Sequence, residues 1–107
     1  MTEPDLPTHP QNGAYLFQLY IAGNAPNSTR AVANLYAICR THFPRSYRIE
    51  MIDVLKEPLR ALAEGILLTP TLIKVAPAPE LQIIGNLSDE EEVLRALGLP
   101  QKGKNHV

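Results

Sequence analysis

A single cysteine in 107 residues excludes an internal disulfide, and a reducing, cytoplasmic setting is the simplest reading. The same shortage removes the Cys-x-x-Cys pair of a dithiol redox centre. No apolar run approaches the roughly 20 residues of a membrane span. The first residues are polar and proline-rich and lack the apolar stretch of a signal peptide. Charge of one sign is also missing. Ten Lys and Arg against eleven Asp and Glu leave a formal net charge of -1, so no global field draws the chain to nucleic acid or to a membrane surface. His9, His42 and His106 are scattered, with no Cys, Asp or Glu at ligand spacing, which argues against a metal site. The loop Gly23-Asn24-Ala25-Pro26-Asn27 lacks the Gly-Lys-Ser/Thr ending of a phosphate loop, and turn chemistry accounts for it. No cofactor and no catalytic residue are expected. Ser28 is the only nucleophile near the first helix, and no base stands at a recognisable spacing.

What remains is the pattern of one globular domain, expected over 14–99, between disordered tails at 1–13 and 100–107. Tyr15 to Ile21 is apolar on both faces, which places a strand in the middle of a sheet. After the Gly23-Asn24 turn, Asn27 or Ser28 is suited to cap a helix. Val32, Leu35, Tyr36, Cys39 and Phe43 recur at helical spacing until Pro44 stops the run. Cys39 lies on that apolar face and reads as a buried small hydrophobe. Tyr47 to Leu55 reads as a second strand, with Arg48 and Glu50 marking it as an edge. A short helix over Leu59 to Glu64 follows Pro58 and ends at Gly65. Thr71–Val75 and Leu81–Ile84 form a hairpin around Pro77-Ala78-Pro79. Ser88 and Glu91 have capping-box spacing, and Val93, Leu94 and Leu97 give the last helix an inward stripe closed by Gly98. Asp53, at a strand end, is expected to hold a local hydrogen bond.

The order is β-α-β-α-β-β-α. Thr69-Pro70 before the third strand is a candidate cis bond in a tight turn. It resembles the proline turn of thioredoxin-like proteins, where a Cys-x-x-Cys stands at the start of the first helix. The matching stretch here, Ala22 to Ser28, holds no cysteine. The expected fold is therefore α/β and thioredoxin-like, a mixed four-stranded sheet with three helices.

Four stretches in order carry a closer resemblance. They are Leu19-Tyr20-Ile21-Ala22-Gly23-Asn24-Ala25-Pro26-Asn27-Ser28, Ile52-Asp53-Val54-Leu55-Lys56, Thr69-Pro70-Thr71-Leu72 and Ile83-Ile84-Gly85-Asn86-Leu87-Ser88. Together they resemble the KaiB family of circadian clock proteins. The resemblance implies a non-enzymatic regulator that binds a KaiC-type ATPase and kinase and competes with a sensor histidine kinase for it. It also implies a metamorphic chain. One state is a tetramer, or a dimer, with its own fold, and the other is a thioredoxin-like monomer; such states differ by only a few kcal/mol.

Where clock KaiB proteins read Ile-Gly-Leu-Asp in the last helix, this chain reads Arg95-Ala96-Leu97-Gly98. Ala for Gly inside a helix contributes roughly 1 kcal/mol, and Gly98 supplies a stop, so Ala96 and Gly98 are expected to favour the thioredoxin-like state. Tyr15, Pro70, Pro77 and Pro79 are the other candidate fold-switch positions. Clock proteins carry basic residues near the second helix and in the last hairpin. Gly65, Leu81 and Gln82 stand at those positions here, while Arg30 and Lys74 match. The candidate partner-binding residues are thus Arg30, Arg48, Glu50 and Lys74, with Tyr20 as an aromatic anchor if the sheet leaves it exposed. Two other classes stay open, a thioredoxin-like redox protein and an adaptor of a sensor histidine kinase without a clock role.

Overall fold

The computed structural model describes residues 14–43 and 46–99. The expected tails and the helix stop at Pro44 lie outside the described residues. Seven elements follow in chain order: β1 (Tyr15–Ile21), α1 (Pro26–His42), β2 (Tyr47–Asp53), α2 (Pro58–Ala63), β3 (Thr71–Ala76), β4 (Leu81–Ile84) and α3 (Glu90–Ala96). They form one four-stranded sheet in the order β2-β1-β3-β4. β1 runs parallel to β2 and antiparallel to β3, and β3 pairs antiparallel with β4. β1 is therefore interior and β2 an edge, as the apolar and charged patterns predict.

Alternation along β1 sends side chains to two different cores. Phe17 and Leu19 pack with Leu35, Ile38 and Cys39 of α1 and with Val93 and Leu94 of α3. Tyr20 packs on the other face with Ile52, Ile73 and Ala61 of α2. α1 and α3 thus cover one face of the sheet and α2 the other. The Thr69–Pro70 peptide is cis, as are Ala76–Pro77 and Ala78–Pro79 in the β3–β4 connection. Gly98, at φ +78, follows α3 in the left-handed conformation that only glycine adopts freely.

Both expected helix caps fall elsewhere. α1 begins at Pro26 behind Ala25, with no side-chain cap. Proline has no N–H to satisfy at that position, so the first turn needs less capping than Asn27 or Ser28 would provide. At α3 the cap is Asp89, one residue beyond Ser88, and its Oδ1 accepts from the Glu92 amide at 3.1 Å. Asp89 and Ser88 are both competent caps, and the register of Val93 and Leu94 in the core decides between them. β2 stops at Asp53 and not Leu55, because the Asp53 side chain takes up the next free amide itself.

Candidate partner-binding surface

The turn from β1 into α1 is where a thioredoxin-type enzyme would carry its thiols. Here Ser28 is buried, and its Oγ accepts from the Ala22 amide at 3.0 Å. Asp53 Oδ1 accepts from Gly23 N and Leu55 N, each at 3.0 Å. This one carboxylate ties the β1–α1 turn to the end of β2, and it serves both the local bond expected of it and a bond 30 residues away. Gly23 sits at φ +55, and a Cβ there would meet Leu55 Cδ1 at 3.3 Å. The turn is a closed joint with its polar groups paired to each other. Cys39 is fully buried on α1, and burial pushes its thiol up to about 12, away from the thiolate that redox chemistry needs. Neither residue favours the redox reading.

The expected partner-binding residues fall into two groups. Arg30 and Arg48 are exposed, but at opposite ends of the sheet. Arg48 lies opposite Leu16 at the beginning of β1, whereas Arg30 is in the second turn of α1, just beyond the end of β1. Glu50 is exposed on the β2 edge and is not free. Arg60 of α2 donates to it at 2.9 Å and Gln18 at 3.3 Å. The Arg60 hydrogen bond holds the Glu50 carboxyl below its ordinary value and raises the guanidinium in turn.

Tyr20 and Lys74 are corrections. Tyr20 is wholly buried under α2 and cannot serve as an exposed anchor. Its hydroxyl has no hydrogen-bond partner among the described residues. Burial, followed by the nearby Glu64 carboxylate, raises its pKa above 10.0. Lys74 is 4% exposed. It pairs with Phe17 across β1 and β3, and its Nζ sits 5.9 Å from the centre of the Tyr15 ring, on the α1 and α3 side. Lys74 is a candidate through the family match and Tyr20 only if the sheet leaves it exposed; neither basis shows which face a helix covers.

Among the candidate fold-switch positions, Tyr15 stacks on Phe43 at 4.0 Å between ring centres and Pro70 is buried. Pro77 and Pro79 lie in the hairpin connection, and Ala96 is exposed at the last position of α3.

A set of exposed leucines escapes the sequence reading. Leu55, Leu59, Leu62, Leu67 and Leu68 are all exposed, from 59% for Leu68 to 88% for Leu67. α2 has six residues and buries only Ala61. Two of its leucines consequently face outward, and those before and after it stay exposed as well. The available signal was stoichiometric: a helix of under two turns cannot bury that many leucines. Lys56, Glu57, Arg60 and Glu64 punctuate the same stretch, giving apolar side chains among charged ones.

The model of the KaiB domain family matches residues 18–99. The chain belongs to the KaiB family. The circadian clock oscillator protein KaiB of Acaryochloris marina is 52% identical over 85 residues, covering 79% of this chain and 82% of that one. A circadian clock oscillator protein KaiB of Prochlorococcus marinus is 51% identical over 85 residues, covering 79% and 73%. The circadian clock protein KaiB3 of Synechocystis is 46% identical over 88 residues, covering 82% and 86%. Solved structures agree on the thioredoxin-like fold. The N-terminal domain of SasA from Synechococcus elongatus superposes with a TM-score of 0.67 at 18% identity, over 98% of this chain and all of that one. Mitochondrial thioredoxin 3 from Saccharomyces cerevisiae gives 0.64 at 16%, over 82% and 80%. This KaiB-family chain therefore combines clock-protein sequence with a thioredoxin-like sheet. No helix among the described residues is long and apolar enough to cross a membrane.

Proposed function

We propose that this KaiB-family protein is a non-enzymatic regulatory module that docks onto a KaiC-type ATPase through α2 and the adjoining β2 edge. The observation that carries this reading is the exposed leucine set at positions 55 to 68. Exposed apolar groups rimmed by charge mark a surface that is covered in a complex. The Arg60–Glu50 ion pair holds α2 against the edge strand, so the two form one surface. Arg48 and the open edge of β2 add polar contacts on that side. Arg30 lies apart from it and Lys74 beneath the opposite face, so neither contributes to docking at this surface.

The thioredoxin-like monomer is the docking-competent state and the main resting state. Ala96 and Gly98 support this, since one continues α3 and the other closes it. Likeness to the SasA domain favours a related second reading. A protein carrying such a domain, for instance a sensor histidine kinase, competes for the same partner surface.

Size-exclusion chromatography with a KaiC-type ATPase tests the proposal. The wild-type chain should co-elute with the ATPase, and the double variant Leu59→Glu, Leu62→Glu should not. Absence of a wild-type complex in either phosphorylation-mimicking form of the ATPase would refute the partner. Unchanged co-elution of the double variant would refute the surface. Backbone chemical shifts reporting a different order of strands and helices would overturn the resting state.

A further inference from the structure

The surface around α2 has an internal symmetry. Its exposed leucines and its charges without an ion partner fall in the same order on both sides of the helix centre. Toward the N-terminus they are Leu59, Lys56 and Leu55; toward the C-terminus they are Leu62, Glu64 and Leu67. The two arms match in type except at the charge, which is basic on one and acidic on the other. Lys56 and Glu64 are both exposed, and neither has an ion-pair partner among the described residues. The other charges of this stretch are engaged with each other. Arg60 meets Glu50 at 2.9 Å and Glu57 at 3.6 Å. Leu59 and Leu62, three residues apart, share one face of α2 at its centre.

We infer that a second copy of this chain covers the α2 leucines, in a weak two-fold dimer of the thioredoxin-like fold. A two-fold axis through the middle of α2 brings the same patch of both copies together. Each arm then lies on the opposite arm of the other copy. Leu59 meets the partner's Leu62, Leu55 approaches the partner's Leu67, and Lys56 faces the partner's Glu64. Symmetry makes each of these contacts twice. A patch whose arms carried the same charge would repel its own copy; this one attracts it. One short helix and its flanks fall at the small end of stable interfaces, which bury about 800 Å² per partner. The dimer therefore forms with a Kd on the order of 100 µM, and the monomer prevails below that. The same leucines are the proposed docking surface, so dimerisation hides them and the ATPase draws on the monomer. That consequence rests on the docking reading above, whereas the assembly itself does not.

Sedimentation of the full chain alone, over about 1 µM to 1 mM, should show a shift from one chain toward two. Leu59→Glu with Leu62→Glu should abolish it. Lys56→Glu and Glu64→Lys should each weaken it about tenfold, because either change sets like charges against each other twice. Both positions are exposed and without an ion partner, so the variants keep their fold. An equimolar mixture of the two should dimerise again to within about threefold of the parent, since each new charge then meets its opposite on the other variant. A chain that stays monomeric throughout would overturn the dimer; if it still co-elutes with the ATPase, the leucines belong to that partner alone. A mixture no more associated than its two components would overturn the two-fold arrangement. Association accompanied by chemical shifts of another strand and helix order would overturn it as well, because a different fold would then be assembling. A dimer with no ATPase complex would uphold this inference and remove only the docking partner.

Discussion

Truncating the leucines of α2 separates a docking surface from a core. Leu59 is 78% exposed and Leu62 72%. Complete burial of a leucine contributes about 1.5–3 kcal/mol, so the covered quarter of each side chain is worth about 0.5 kcal/mol. Alanine is also slightly the better helix former. The double variant Leu59→Ala, Leu62→Ala should therefore unfold within about 1 kcal/mol of the parent. Leu94→Ala, at a position 1% exposed, should cost about 2–5 kcal/mol. Binding should rank the other way. If the partner covers both α2 leucines, each truncation forfeits about 1–2 kcal/mol of binding, and together they weaken Kd by roughly 30- to 1,000-fold. Urea denaturation gives the stability and a titration against the ATPase gives the affinity. A double variant as unstable as Leu94→Ala, or one that binds as tightly as the parent, would refute the reasoning.

Asp53→Ala leaves the amides of Gly23 and Leu55 without an acceptor and should cost about 2–4 kcal/mol in urea denaturation, whereas Asp53→Asn, which keeps Oδ1, should recover most of that. Raising the pH should destabilise the fold through Cys39. The folded thiol stays protonated to about 12 against an ordinary 9.0, so the unfolded chain releases its proton first and stability declines above about pH 9; Cys39→Ala should flatten that limb of a stability-against-pH curve. Glu50 works in the opposite direction. Its carboxyl is held below the ordinary 4.5 by Arg60, so its contribution is present above pH 4.5 and is lost as the pH falls below it. The loss should be small, because the pair is open to solvent on both sides, and most of it should go in Arg60→Met.

Much of the architecture was legible because hydrophobic period and turn chemistry act locally. The doubly apolar Tyr15 to Ile21 could only be an interior strand, and it is. Arg48 and Glu50 marked β2 as an edge, and Gly98 marked the end of α3. The cap misreadings share a form. Asn27 and Ser28 are competent caps by type, and Ser88 has capping-box spacing, yet none of them caps its helix. In the folded chain Ser28 is drawn to Ala22, Asn27 to Asn86 and the cap of α3 to Asp89. Only the Asn27 partner lies far along the chain, 59 residues away; Ser28 and Asp89 choose between neighbours within a few residues.

The sequence by itself determined the family, the order of elements and the missing redox pair, because identity and periodicity are written along the chain. Only the tertiary structure decided which surface is available. Whether Tyr20 and Lys74 are buried depends on α2 covering one face of the sheet and α1 with α3 the other. Whether Leu59 and Leu62 are exposed depends on how little of a six-residue helix touches that sheet. A side chain's hydrophobicity is local, whereas its burial is a property of everything packed around it.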